Sequence, residues 1–144
     1  MNYLLDTCVI SEAVKENPHP GVLAWLEKQD ESSLHLSSLT IGEIIKAIFR
    51  LPDSSRRDRL RKWVEEELPE RFKGRILNID SGVAALWGVM QGKAEKRGGP
   101  WGGVIDSLIA ATASHHDLMV VSRNEKDVKR CGVCVMNPWG IEVE

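Results

Sequence analysis

No stretch of this chain approaches the run of about 18 apolar residues that a membrane-crossing helix requires. The N-terminus, Met1-Asn2-Tyr3-Leu4-Leu5-Asp6, has no positive segment, no apolar stretch of signal-peptide length and no small-residue cleavage site, so a cytoplasmic location with no membrane contact is expected. Cysteine is scarce and odd in number, with Cys8, Cys131 and Cys134 as the full set, which argues against a disulfide framework. Cys131 and Cys134 have C-x-x-C spacing, but no second pair follows to complete a four-ligand zinc site. The Gly and Val residues around them do not offer the strand-to-helix setting of a redox pair, and buried or edge thiols without a metal are expected. A charge excess is missing too: the formal net charge is -2. A protein that coats nucleic acid is usually strongly basic, so that class is disfavoured. An enzyme that touches nucleic acid locally and carries acidic metal ligands is not. There is no internal repeat and no low-complexity segment.

What is present fits one domain, residues 1–144, of ordinary globular composition, with 42% apolar and 28% charged residues. Short apolar runs alternate with segments of helical periodicity. Strands are expected at 3–5, 34–37, 76–79, 118–121 and 134–136. Between them, helices are expected around Val9–Val14, Val22–Leu26, Ile41–Phe49, Asp53–Leu68, Val83–Met90 and Asp106–Ala113, with Pro69 closing the fourth and Asp80 capping the fifth. Residues 98–103 are a glycine-rich loop. Strands separated by helices imply parallel crossovers, so the fold class is α/β with helices on both faces of a mainly parallel sheet of four to five strands.

In such sheets, ligands bind beyond the carboxyl ends of the strands. Asp6 follows the first strand, and Glu43 falls in the first turn of the helix after the second. Asp106 opens a helix after the glycine-rich loop, and Asn124 and Asp127 follow the fourth strand. Carboxylates converge for a hard cation: Mg²⁺ and Mn²⁺ take oxygen ligands, and without one the carboxylates repel. Each residue also has a plainer reading. Asp6 suits a helix N-cap, Thr40-Ile41-Gly42-Glu43 has the form of a capping box, Asp106 complements a helix dipole, and Asp127 reads as a solvated charge.

Other features point less sharply. Arg56, Arg57, Arg59, Arg61 and Lys62 form a basic run that could engage phosphates, or a solvated helix face with Arg61–Glu65 and Lys62–Glu66 pairs. His115 and His116 end a helix, where cationic histidine is comfortable, and no metal role is expected for them. Trp101, in the glycine-rich loop, has no core position.

The segment Leu4-Leu5-Asp6-Thr7-Cys8-Val9-Ile10-Ser11-Glu12 resembles the start of PIN-domain proteins, especially the VapC/FitB-like toxins of bacterial toxin–antitoxin modules. Leu39-Thr40-Ile41-Gly42-Glu43, Val104 to Ala113 and Val120 to Asp127 extend the resemblance, in order, over nearly the whole chain. It implies a three-layer α/β/α PIN fold with a metal at the carboxyl edge of the sheet. It implies Asp6, Glu43 and Asp106 as the core catalytic and metal-binding acids, with Thr7 supporting the site through a hydrogen bond. Cys8 stands where Asn is frequent, Asn124 where Asp is frequent, and Val128 where Phe is common; the fourth ligand is therefore either Asn124 or Asp127. The resemblance further implies cleavage of RNA, tRNA included, a small antitoxin partner, a homodimer and a toxin–antitoxin hetero-oligomer.

The expected function is thus a Mg²⁺-dependent endoribonuclease toxin, with Mn²⁺ as the alternative ion. A rival from another class is a catalytically weak PIN-like binding module acting through its antitoxin complex in promoter autoregulation. A haloacid-dehalogenase-type phosphatase also begins strand–Asp, but it requires D-x-D, and Cys8 occupies the second acidic position.

Overall fold

The computed structural model describes residues 1–99 and 102–141; Trp101 lies outside them. Five parallel strands form the sheet: β1 (Tyr3–Leu5), β2 (Leu34–Ser37), β3 (Ile76–Leu77), β4 (Met119–Val121) and β5 (Val135–Met136). Their order is β3-β2-β1-β4-β5. The chain builds outward from β1 on one side, then crosses to β4 on the other, so the topological switch lies between β1 and β4, beyond whose carboxyl ends a crevice opens.

Helices cover both faces: α1 (Thr7–Ala13), α2 (Pro20–Lys28), α3 (Ser38–Phe49), α4 (Ser55–Lys62), α5 (Leu68–Arg71), α6 (Ser81–Lys96), α7 (Val104–His115) and α8 (Glu125–Arg130). Side chains alternate across a strand, and two cores result. Leu5, Leu36 and Val121 point into the larger one, packing on Val9 and Ile10 of α1, Trp25 of α2, Ile44 and Ile48 of α3 and Phe72. Leu4 and Val120 point the other way, against Ile109 and Ala113 of α7. Small residues let α7 approach closely, with Ala110, Ala111, Thr112 and Ala113 all buried. The α/β/α architecture read from the sequence is the observed one.

Two local readings need correction. Pro69 does not close the fourth helix. A π-helical turn, Trp63–Glu67, follows α4, and the chain continues into α5 with Pro69 in its first turn. The widened turn changes the hydrogen-bond register, and a first-turn position is where a missing N–H costs least. Strand β3 is also shorter than expected, because the chain leaves the sheet after Leu77 to reach the Asp80 cap of α6, where Oδ1 accepts the Val83 N–H at 2.9 Å.

The basic segment lies on α4 and is largely exposed. Arg57 pairs with Asp53, and the Arg57 and Arg61 guanidinium groups lie 4.8 and 5.0 Å from the centroid of the exposed Phe49 ring. Arg61 reaches Glu65 at 3.7 Å. Lys62 and Glu66 do not come within 4.0 Å, so only one of the two expected pairs forms.

Candidate active site

Asp6 is the first residue after β1, and its backbone N–H still donates to Val121 in β4 at 2.9 Å. This ties it to the switch between the two strands. Its carboxylate is 7% exposed and held from two sides. Oδ1 accepts the Thr7 N–H at 2.9 Å, so the N-cap reading is correct as far as it goes. Oδ2 accepts from the hydroxyl of Ser122 at 2.8 Å, with the Cys8 thiol 3.8 Å away. Burial, then the Asp6 charge, pushes the Cys8 thiol above its ordinary range, so it stays protonated and can serve as a donor.

Thr7 connects the first helix to the third. Its hydroxyl donates to Glu43 Oε1 at 2.6 Å, and Thr40 Oγ1 lies 3.3 Å away. Glu43 is therefore not half of a capping box: α3 begins one turn earlier, capped by Ser37, whose hydroxyl accepts the Leu39 N–H at 3.1 Å. Glu43 sits in the second turn, not the first, and Thr40 is fully buried. The Thr7 contact instead fixes the Glu43 carboxylate on the site side of α3.

Asp106 stands in the first turn of α7, after Gly102 at φ +70°, a left-handed backbone that disfavours side-chain-bearing residues. Asp6, Asp106, Asn124 and Asp127 line one cleft, floored by Ile109 and Val120. Asn124 precedes α8 without capping it through its side chain, and Asp127 lies in that helix's first turn. The Asp106 carboxyl is pushed above the ordinary Asp range, first by partial desolvation and then by the charges of Asp6, Glu43 and Asp127. Every acidic residue expected at the site is thus electrostatically coupled to Asp106.

The arrangement is open. Among the described residues, the only His, Cys, Asp or Glu trio with ligand atoms within 4.8 Å of one another is Asp80, His115 and His116, not a set of these carboxylates. Hard-oxygen groups spaced around a cleft suit an ion such as Mg²⁺, which keeps several waters and uses few direct carboxylates.

Ser122 is the residue the sequence reading passed over. It is fully buried, donates to Asp6, and its oxygen accepts the Asn124 N–H at 3.0 Å. The available signal was position: a polar residue directly after a buried parallel strand, as with Asp6. Ser122→Ala removes the donor to Asp6 and strands a backbone N–H. The variant is expected to unfold about 1–3 kcal/mol more easily in urea, against near-zero for an exposed serine such as Ser114.

A family model described as PIN domain matches residues 3–132. Toxin FitB of Neisseria gonorrhoeae is 34% identical over 136 residues, covering 94% of this chain and 97% of that protein. VapC ribonuclease Y4jK of Sinorhizobium fredii is also 34% identical over 136 residues, covering 94% of this chain and 96% of its own length. Among solved structures, FitAB bound to an IR36 DNA fragment superposes with a TM-score of 0.89 at 32% identity, covering 99% of both chains. With the matched region running from β1 through the carboxylate cleft and past α8, the chain belongs to the PIN-domain family.

Proposed function

We propose that this protein is a Mg²⁺-dependent endoribonuclease, the toxin of a toxin–antitoxin module, acting as one nuclease domain over residues 1–144 in the cytoplasm. The observation that carries the reading is the gathering of Asp6, Asp106, Asn124 and Asp127 around one cleft beyond the carboxyl ends of β1 and β4. Asp6, Asp106 and Asp127, from separate segments, line this cleft at the carboxyl edge with no cationic side chain among the described lining residues. Glu43, held by Thr7 outside that lining, adds its charge. Partial desolvation and these neighbouring charges raise the Asp106 carboxyl, and a divalent cation would relieve the repulsion. The donors fit Mg²⁺, with Mn²⁺ as the alternative.

Asp6 and Asp106 would hold the ion, Glu43 a second ion or the attacking water, and Asp127 or the Asn124 carbonyl would complete the shell. When bound, the ion supplies an acidified water for attack on phosphorus and charge stabilisation for the departing oxygen. The residues do the rest. Ser122 and the Thr7 N–H orient the two Asp6 oxygens, and the Thr7 hydroxyl aims Glu43. Exposed Arg123, directly after Ser122, rests its guanidinium 5.1 Å from the Trp139 ring centroid and would offer its charge to a substrate phosphate. The expected products carry a 5′-phosphate and a 3′-hydroxyl, and the 2′-hydroxyl is not needed as nucleophile.

The relative named VapC ribonuclease supports RNA as substrate, and the relative named toxin supports the toxin role; tRNA is proposed as one target. The FitAB complex supports a protein partner, which we read as a small antitoxin in a toxin–antitoxin hetero-oligomer; a toxin homodimer is proposed with it. The groove beside α1, α3 and α4, lined by Val14, Ile44, Ile48, Leu60 and Trp63 and also by Lys15 and Arg56, would seat that partner beside the helices that carry Thr7 and Glu43. The DNA in the FitAB complex favours a second reading, a binding module that acts in promoter autoregulation through its antitoxin. Expression in the absence of antitoxin separates the two. The nuclease reading predicts growth arrest by the wild type and none by Asp6→Ala; equal arrest, or none from either, favours the binding module.

The raised Asp106 carboxyl also sets a pH dependence. The cation binds the ionised form, so protons compete as pH falls, and they begin to win above the ordinary Asp value of about 3.9. Calorimetric titration with Mg²⁺ is expected to show affinity constant near pH 7 to 8 and falling on acidification. Affinity that rises on acidification would contradict the assignment.

A further inference from the structure

Where α6 begins and α7 ends, three exposed side chains face one another: Asp80, His115 and His116, with ligand atoms all within 4.8 Å. Asp80 caps α6 through Oδ1, which leaves its second oxygen available. The end of α7 is fixed. Leu118 N–H donates to the Ala113 carbonyl at 2.8 Å and Asp117 N–H to that of Ser114 at 3.3 Å, with Asp117 at φ 55°. This paired closure holds His115 and His116 on the last turn, their rings edge-on at 5.0 Å. Gly82 makes the room. A Cβ there would stand 2.7 Å from His115 Cε1 and 2.9 Å from Nε2, so only glycine lets that imidazole lie over the first turn of α6.

The donor set differs in kind from the carboxylate cleft. Two imidazole nitrogens with one carboxylate oxygen select a borderline transition-metal ion over Mg²⁺. A helix C-terminus also favours a cation at that end of α7. Ten residues of α7 separate His116 from Asp106, about 15 Å along the helix, so the two clusters cannot share an ion.

We propose that Asp80, His115 and His116 form a second metal site, for a dication of the Zn²⁺ type, that clamps the start of α6 to the end of α7. The sequence alone gave the histidines only a helix-end role, because Asp80 reaches them through packing. The clamp would anchor the helix whose opposite end presents Asp106.

Zn²⁺ is titrated calorimetrically into the full chain with excess Mg²⁺ present, comparing wild type, His115→Gln/His116→Gln, Gly82→Ala and Asp106→Asn. The wild type and Asp106→Asn are expected to bind one equivalent at least tenfold more tightly than the double-histidine variant. Gly82→Ala, with His115 displaced, is expected to fall with the double variant. Cu²⁺ in the wild type is expected to show electron-spin coupling to imidazole nitrogen that the double variant lacks, a signature that thiol ligation by the cysteines would not give. Zn²⁺ affinity equal in the wild type and the double-histidine variant would overturn the site, as would loss of binding in Asp106→Asn alone. Undiminished binding by Gly82→Ala would overturn the geometry argued for His115.

Discussion

Asp106→Asn is expected to abolish RNA cleavage while leaving the metal-free protein at least as stable as the wild type at pH 7. The activity loss should be on the order of 10³-fold or more, since one neutralised group removes both ion affinity and charge stabilisation where it develops. The folded-state pKa of Asp106 is raised, so its contribution favours the folded state most when protonated and is lost as pH rises through that value. At pH 7 the charge is therefore a liability, and an amide of the same shape removes it. Asp106 is exposed, so solvent screening keeps the gain small. Urea unfolding with and without Mg²⁺ reads both halves. The wild type should gain stability from the ion by mass action, and the variant should gain little. A variant clearly less stable than wild type without metal would show that Asp106 plays a structural part that its surroundings do not indicate.

Asp6→Ala should match that loss of activity and differ in stability. Here the carboxylate is buried and accepts from the Thr7 N–H and the Ser122 hydroxyl. Truncation leaves those donors unpaired and removes the cap of α1. The expected destabilisation is about 1–3 kcal/mol, because stranded buried donors outweigh the relief of repulsion toward an exposed partner. Denaturant midpoints without metal, set beside cleavage rates, test the contrast. The two acids should be interchangeable in activity and opposite in stability.

The contrast also marks what was legible in the chain. The strands and the acids at their carboxyl ends could be read because both follow from local rules, apolar runs and the position after a strand. Leu4 and Leu5 announce a strand buried on both faces, and the observed cores take one each. Glu43 was ambiguous because its T-x-x-E context is also a local rule. Only the approach of α1 to α3 shows its carboxylate taking the Thr7 hydroxyl instead. Pro69 misled because a π turn absorbs it, and no local pattern encodes that turn. Ser122 was hidden by being a small polar residue with no motif, its role fixed by a partner 116 residues away. Asp80 and the two histidines went unjoined for the same reason: the contact belongs to helix packing. Asn124 and Asp127 both reach the cleft, which is as far as position carries the choice of fourth ligand.

The central claim is that the acids around Asp106 hold a divalent cation that cuts RNA. Its most direct test is cleavage of a mixed cellular RNA by the purified protein, in Mg²⁺ and in excess EDTA, with the new ends sequenced. The account predicts cleavage in Mg²⁺, loss of it in EDTA, restoration when Mg²⁺ is returned in excess, and 5′-phosphate ends. Equal cleavage in EDTA, or products ending in 2′,3′-cyclic phosphate, would contradict it.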